Sequence, residues 1–300
     1  MIALDNTDAN NSPFDLKNVE AYERWRDNKL NKYPENAEDL VIEINDPRQL
    51  SAAEREKIVD LYNKTNMAVY TSKEGANPDK RIALFLAQQF GLHKLDKNMG
   101  ADDDGITSLQ VSEADGHERY IPYSNKAIHW HTDGYYNKSD KQIHALNLHC
   151  VRPAIHGGEN AVMDHEIAYI RLRDENPEYI HALMAEKAMT VPANIDQGKE
   201  IRAQRSGPVF SVGSNGTLHM RYTARAHNIV WAEDNQTQAA VKFLDKILKS
   251  NDPYIYRLTL QPGWGLISNN VLHDRSGFED DKKMPRLLYR LRYFDRLSAV

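Results

Sequence analysis

The run RLLYRLRYFDR, residues 286–296, limits the fold more than any other segment. Read as a strand, it places Arg286, Arg290 and Arg292 on one face and Tyr289, Leu291 and Tyr293 on the other. The apolar face needs a core. The arginine face must either lie in water or, if it turns inward, meet anionic partners, because a buried unpaired cation is very costly. A sheet with one apolar face and one arginine-bearing face is therefore expected, the latter either solvated or turned inward onto anionic partners.

The rest of the chain agrees with a sheet. QIHALNLHCVRP alternates in the same way, with Leu146, Leu148 and Cys150 on one face and Ala145, Asn147 and His149 on the other. MAVYTS reads as a short strand, and YIYRLTLQPGWGLISNNVLHDRSGF as strand, turn and strand, with the turn at Pro262–Gly263. Helices are expected at DLKNVEAYERWRDNKL, at SAAEREKIVDLYNKTN, where Ser51 and Glu54 have capping-box spacing, and at PDKRIALFLAQQFG between Pro78 and Gly91. DHEIAYIRLRDEN, PEYIHALMAEKA and QTQAAVKFLDKILKSN form a helical insertion between strand-rich segments. The order fits an α+β fold with a mainly antiparallel β core, rather than a βαβ repeat.

Composition narrows the function. The chain has 300 residues, a net charge of -5 and no clustered basic stretch, so a nucleic-acid partner is not expected. No apolar run reaches the roughly 18 residues of a membrane span, and MIALDNTDANNSPFD carries no secretory signal. A cytoplasmic protein without a membrane partner is expected, as one domain over 1–300 with residues 1–14 mobile. The single cysteine, Cys150, rules out an intramolecular disulfide and any multi-cysteine metal site.

The stretch KAIHWHTDGYYNK holds His129, His131 and Asp133 within five positions. On a strand His131 and Asp133 project together, a two-point claw for a divalent first-row metal. His129 shares that face, but three consecutive same-face residues span roughly 13 Å, so it suits a lining role better than direct ligation. The third ligand must come from elsewhere, and His273 in SNNVLHDRSGF is the candidate. Two histidines and one carboxylate are the ligand set of non-haem Fe(II) oxygenases. On residues alone, a cupin-like metal-dependent hydrolase or isomerase and a non-catalytic β-barrel binding module stay open.

Taken in order, HWHTDGYY, LHCVRPAIHGGENAVMDHEIAYIRL, NNVLHDRSGF and PRLLYRLRYF resemble the TauD/TfdA (taurine dioxygenase) family of Fe(II)- and 2-oxoglutarate-dependent oxygenases. The resemblance runs from about residue 120 to 296. It implies a double-stranded β-helix (jelly roll) with flanking helices. It implies iron on His131, Asp133 and His273, and 2-oxoglutarate with O2 as cosubstrates. Arg286, thirteen residues after His273, matches the arginine that pairs with the far carboxylate of 2-oxoglutarate. Asn160 in GGEN stands where the family often has a threonine on that cosubstrate. Arg290 matches a position that meets an anionic substrate group in some members, and Tyr135 is a candidate for the substrate pocket. The reaction implied is oxidation of a small-molecule C–H bond with release of succinate and CO2. Asp133 favours hydroxylation or a related oxidation such as desaturation, since halogenating relatives lack that carboxylate. A homo-oligomer is an expectation carried by the resemblance alone.

Overall fold

Alternating apolar strands need a partner layer, and here two sheets supply it to each other. The computed structural model describes residues 12–97, 102, 104–111, 121–225, 229–281 and 283–299. The larger sheet has six strands in the order 41–43, 67–71, 264–268, 145–152, 287–293 and 107–109. The smaller has four, in the order 256–258, 160–163, 272–275 and 128–131. Within these two sheets only the pair 41–43 and 67–71 is parallel. The structure is thus a mixed α and β fold with a mainly antiparallel core.

The face assignments read from the sequence hold. Leu146, Leu148, Cys150 and Leu288 of the large sheet pack toward Ala161, Val162, Met163 and Leu272 of the small one. Tyr289, Leu291 and Tyr293 pack on the opposite side, beneath helices α2 (Ala52–Thr65) and α3 (Arg81–Gln88). Ser51 and Glu54 form the capping box expected at the start of α2. The turn at Pro262–Gly263 differs from a simple hairpin. Its flanking strands enter different sheets: 256–258 pairs with 160–163, and 264–268 pairs with 67–71 and 145–152. Gly265 makes this crossing tight, since a Cβ there would lie 2.2 Å from the Tyr70 ring and 2.4 Å from the Leu148 carbonyl.

Three helices, α4 (His165–Glu175), α5 (Pro177–Leu183) and α6 (Asn235–Leu248), fall between residues 163 and 256, where the helical insertion was expected. Short strands accompany them, including the hairpin Asn194–Asp196 and Lys199–Arg202. Helix α1 (Val19–Leu30) is tied to α4 by the buried Lys29, whose Nζ lies 2.7 Å from Asp164 and 2.5 Å from Glu166. Of the stretch 1–14 expected to be mobile, residues 1–11 lie outside the described part. Phe14 is buried edge-on to Trp25 and Tyr169. Among the described residues no helix is long and apolar enough to cross a membrane.

Candidate active site

The strand Ile128–His131 ends at His131, so Asp133 sits in the turn that follows rather than on the strand. The two side chains still converge, because the turn is pinned on both sides. Thr132 N–H donates to the Tyr222 carbonyl at 3.0 Å, and Tyr222 N–H returns a bond to Thr132 Oγ1 at 3.0 Å. Gly134 follows at φ +70°, and a Cβ there would lie 2.4 Å from Ile143. His273, on the adjacent strand Leu272–Arg275, is in register with His131, and their rings lie 4.2 Å apart.

Each imidazole has its tautomer set by the backbone. His131 Nδ1 lies 2.9 Å from the His129 carbonyl, and His273 Nδ1 lies 2.9 Å from the Val271 carbonyl. A carbonyl can only accept, so both Nδ1 atoms donate, which leaves Nε2 of each ring as the atom free to ligate a metal. One ligand atom from each of His131, Asp133 and His273 falls within 4.8 Å of the others. Burial, and next the neighbouring His273, push the His131 pKa down to about 3, so the ring is neutral near pH 7. Burial alone would raise the Asp133 pKa, but Arg290 and Arg292 outweigh it and hold the carboxyl ionised. Asp133 Oδ2 is buried and has no hydrogen-bond partner among the described residues. Two imidazoles that present Nε2 and one carboxylate with an oxygen left free among the described residues fit a divalent first-row metal such as Fe(II). The side chain of His129 is exposed, and only its carbonyl serves this site.

A cleft of about 420 Å³, counting its part open to solvent, runs from His131 and His273 to Arg286 and Asn160. Leu148, Leu288 and Ile128 give it apolar walls. Arg286 is buried, 4% exposed, and no described carboxylate lies within 4.0 Å of its guanidinium. It stacks on Phe278 with Cζ 5.1 Å from the ring centre. Asn160 is buried beside it, with its amide nitrogen 3.5 Å from the Gly158 carbonyl. Burial lowers the Arg286 pKa.

Arg290 Nη1 lies 3.4 Å from Asp133 Oδ1. Arg292 donates to Tyr136 Oη at 2.8 Å and pairs with Asp96. The arginine face read from the sequence therefore does turn inward. Tyr135 does not reach the cleft. Its ring packs on the core edge-on to Tyr136, and its carbonyl accepts from Arg221 Nε at 2.7 Å.

Two residues escaped the sequence reading. Asn270 Oδ1 accepts from Asp133 N–H at 2.8 Å, and its Nδ2 donates to the Asp133 and Ile143 carbonyls at 2.9 and 2.7 Å. The Asn269–Asn270 pair signalled a turn, but not what the turn holds. Arg275, two residues beyond His273, stacks on Phe278 at 4.7 Å and donates to the carbonyls of Ser124 and Lys126, the approach to the His131 strand. Burial, and then Arg286, lower its pKa to about 9.

The profile of the taurine catabolism dioxygenase TauD, TfdA family matches residues 29–292. A uridine-5'-phosphate dioxygenase of an Amycolatopsis species is 27% identical over 275 residues, covering 87% of this chain and 98% of that protein. A uridine-5'-phosphate dioxygenase of a Streptomyces species is 28% identical over 200 residues, 63% of this chain and 69% of that one. Among solved structures, the non-heme iron oxygenase OrfP with Fe, succinate and (3S)-hydroxy-L-Arg superposes with a TM-score of 0.57 at 16% identity, over 85% of this chain and 83% of that one. An asparagine oxygenase with Fe(II), 3-hydroxyasparagine and succinate gives 0.57 at 15% identity, over 96% and 86%.

Proposed function

The chain belongs to the TauD/TfdA dioxygenase family and is an Fe(II)- and 2-oxoglutarate-dependent dioxygenase, and on that premise we propose which of its residues carry the reaction. His131, Asp133 and His273 hold the iron. Arg286 receives the far carboxylate of 2-oxoglutarate, with Asn160 donating beside it. Arg290 faces the substrate. The metal centre, when loaded, supplies the oxidising power that couples decarboxylation of 2-oxoglutarate to attack on a C–H bond.

The observation that carries this reading is the convergence of three donors, with both imidazole Nδ1 atoms held by backbone carbonyls. Both histidines present Nε2, and Asp133 keeps one buried oxygen without a partner. The remaining residues position and exclude. A planar guanidinium matches a carboxylate in a bidentate fork, so Arg286 fixes the orientation of the cosubstrate as well as its affinity. Leu148, Leu288 and Ile128 keep the intervening cleft apolar. The hydrolase, isomerase and binding-module readings leave the unpartnered Arg286 without a role.

The finer fold proposed is a double-stranded β-helix formed by the two facing sheets, as one domain over residues 1–300, in a cytoplasmic protein. The substrate is a small molecule with an anionic group. A nucleoside 5'-phosphate such as uridine 5'-phosphate is the first to try, because relatives similar along most of the chain bear that name. The test is anaerobic visible absorbance of the apoprotein titrated with Fe(II) and then 2-oxoglutarate. A metal-to-ligand charge-transfer band should appear only with both, and His273→Ala should lose it. A wild-type protein that binds metal yet shows no band would sink the assignment.

A further inference from the structure

Beyond the metal, one wall of the site carries more positive charge than its carboxylates balance. Arg290 faces Asp133, and Arg292 pairs with Asp96. The ring of Tyr136, whose hydroxyl is held by Arg292 at 2.8 Å, lies close to two guanidiniums. Arg292 Cζ is 5.9 Å from its centre and Arg202 Cζ is 6.0 Å. Arg202 comes from the hairpin strand Lys199–Arg202 of the insertion. Among the described residues it donates only to main-chain carbonyls, those of Pro192 at 2.9 Å and Ala203 at 3.4 Å.

Its neighbours add charge rather than cancel it. Arg221 spends its donors on the carbonyls of Tyr135, Met189, Gly207 and Arg205, a structural role that joins the insertion to the His131–Asp133 turn. Burial, and next the charge of Arg202, lower the Arg221 pKa to about 10. Among the described residues, no carboxylate lies within 4.0 Å of Arg202, Arg205 or Arg221. Arg202 differs from Arg221 in keeping donors to spare, since two of its five N–H groups meet carbonyls. Arg202, with donors to spare beside an aromatic ring and no described carboxylate within 4.0 Å, suits an anion, and the added charge of Arg205 and Arg221 favours a dianion over a monoanion.

We propose that Arg202, with Tyr136 beneath it, anchors the phosphomonoester of the substrate on the insertion side of the site. This names the anionic group left open above and rests on that reading. Arg202 then fixes the end of the substrate remote from the metal, and Arg290 lies nearer the reacting carbon. The hairpin makes the specificity, because Arg202 is carried by the insertion and not by either main sheet.

The probes are uridine 5'-monophosphate, uridine and inorganic phosphate, titrated anaerobically into the protein loaded with Fe(II) and 2-oxoglutarate. Binding is read by calorimetry and by the shift of the charge-transfer band. The wild type should bind the monophosphate at least about 30-fold more tightly than uridine, and inorganic phosphate should compete with it. Arg202→Gln should weaken the monophosphate about 10- to 100-fold, abolish competition by phosphate, and leave the affinity for 2-oxoglutarate unchanged. Arg202→Lys should recover part of the loss, which a folding defect would not. Equal affinity for uridine and its monophosphate, or equal weakening of both in Arg202→Gln, would overturn the proposal. So would failure of both phosphate probes to bind a wild-type protein whose band is intact, and the dioxygenase assignment would then stand. Absence of the band itself would instead overturn the site assignment beneath both.

Discussion

Replacing Asn270 should loosen the metal site more than its distance from the ligand atoms suggests. The side chain is buried and makes three hydrogen bonds, two of them to the backbone of Asp133. The residue also sits at φ +54°, a left-handed conformation that asparagine tolerates and alanine does not. Asn270→Ala strands one N–H and two carbonyls. At about 1 kcal/mol for each lost bond, and about 1 kcal/mol more for the backbone, the cost is roughly 4 kcal/mol. Asn270→Gly removes the same bonds but relieves the backbone, so it should recover about 1 kcal/mol. Asn270→Asp keeps the acceptor toward Asp133 N–H but faces two carbonyls with a carboxylate, and should be no better than alanine. The carboxylate of Asp133 is aimed by this clasp, and lost support of a ligand typically costs about 10- to 100-fold in metal affinity. Calorimetry with Co(II), beside thermal unfolding of the apoprotein, separates the two effects. Glycine should repair stability in part while leaving metal affinity low. Variants that lose stability but hold Co(II) within twofold of the wild type would refute the claim that Asn270 aims the ligand.

Two further outcomes follow from buried charge. Arg286→Gln should weaken 2-oxoglutarate by about 10- to 150-fold, the equivalent of one charge-assisted bond of about 1.5–3 kcal/mol, with Fe(II) affinity unchanged; equilibrium dialysis of both ligands checks it. His149 is fully buried with Nδ1 3.0 Å from Tyr70 Oη, and burial lowers its pKa to about 4. The unfolded chain therefore binds a proton near pH 6.5 that the folded chain refuses. Stability should fall as pH drops from about 6.5 toward 4, by up to about 1.4 kcal/mol per pH unit from this residue. His149→Gln should flatten that slope in urea titrations between pH 4 and 6.5, and an unaltered slope would show that His149 does not carry it.

What could be read from sequence was whatever repeats with a local period. Leu146, Leu148 and Cys150 announce one face of a strand, Ser51 and Glu54 announce a helix start, and both are where alternation and capping put them. The claw of His131 and Asp133 was legible from spacing, although for a partly different reason than strand geometry supplies. The strand stops at His131, and the convergence depends on Thr132, Gly134 and Asn270, the last 137 positions from Asp133. No local pattern encodes that separation. The same limit hid the crossing at Pro262–Gly263, where a strand–turn–strand pattern looks alike whether or not the two strands pair. Tyr135 is the converse case. An aromatic next to the claw looked like a pocket wall, but its ring packs partly on the core and does not line the cleft, and Tyr136 beside it is held by Arg292.

The division of labour between the sheets explains why the inward arginine face is tolerable at all. His131 and His273 come from the four-stranded sheet, Arg290 and Arg292 from the strand 287–293 of the six-stranded one, and Arg286 from the residue just before that strand. Packing the sheets brings four guanidiniums, counting Arg275, against Asp133 and Asp96, with Arg286 left facing no described carboxylate. A chain does not bury such an excess for stability, since each unpaired charge costs several kcal/mol on the order-of-magnitude scale of desolvation. The lowered pKa values of Arg275 and Arg286 mark that cost. An anion arriving from solution relieves it, so affinity for carboxylate and phosphate is built from the same charges that weaken the empty fold. Arg286→Gln should therefore lower ligand affinity while costing the apoprotein little, the opposite of Arg292→Gln, which truncates the buried ion pair with Asp96.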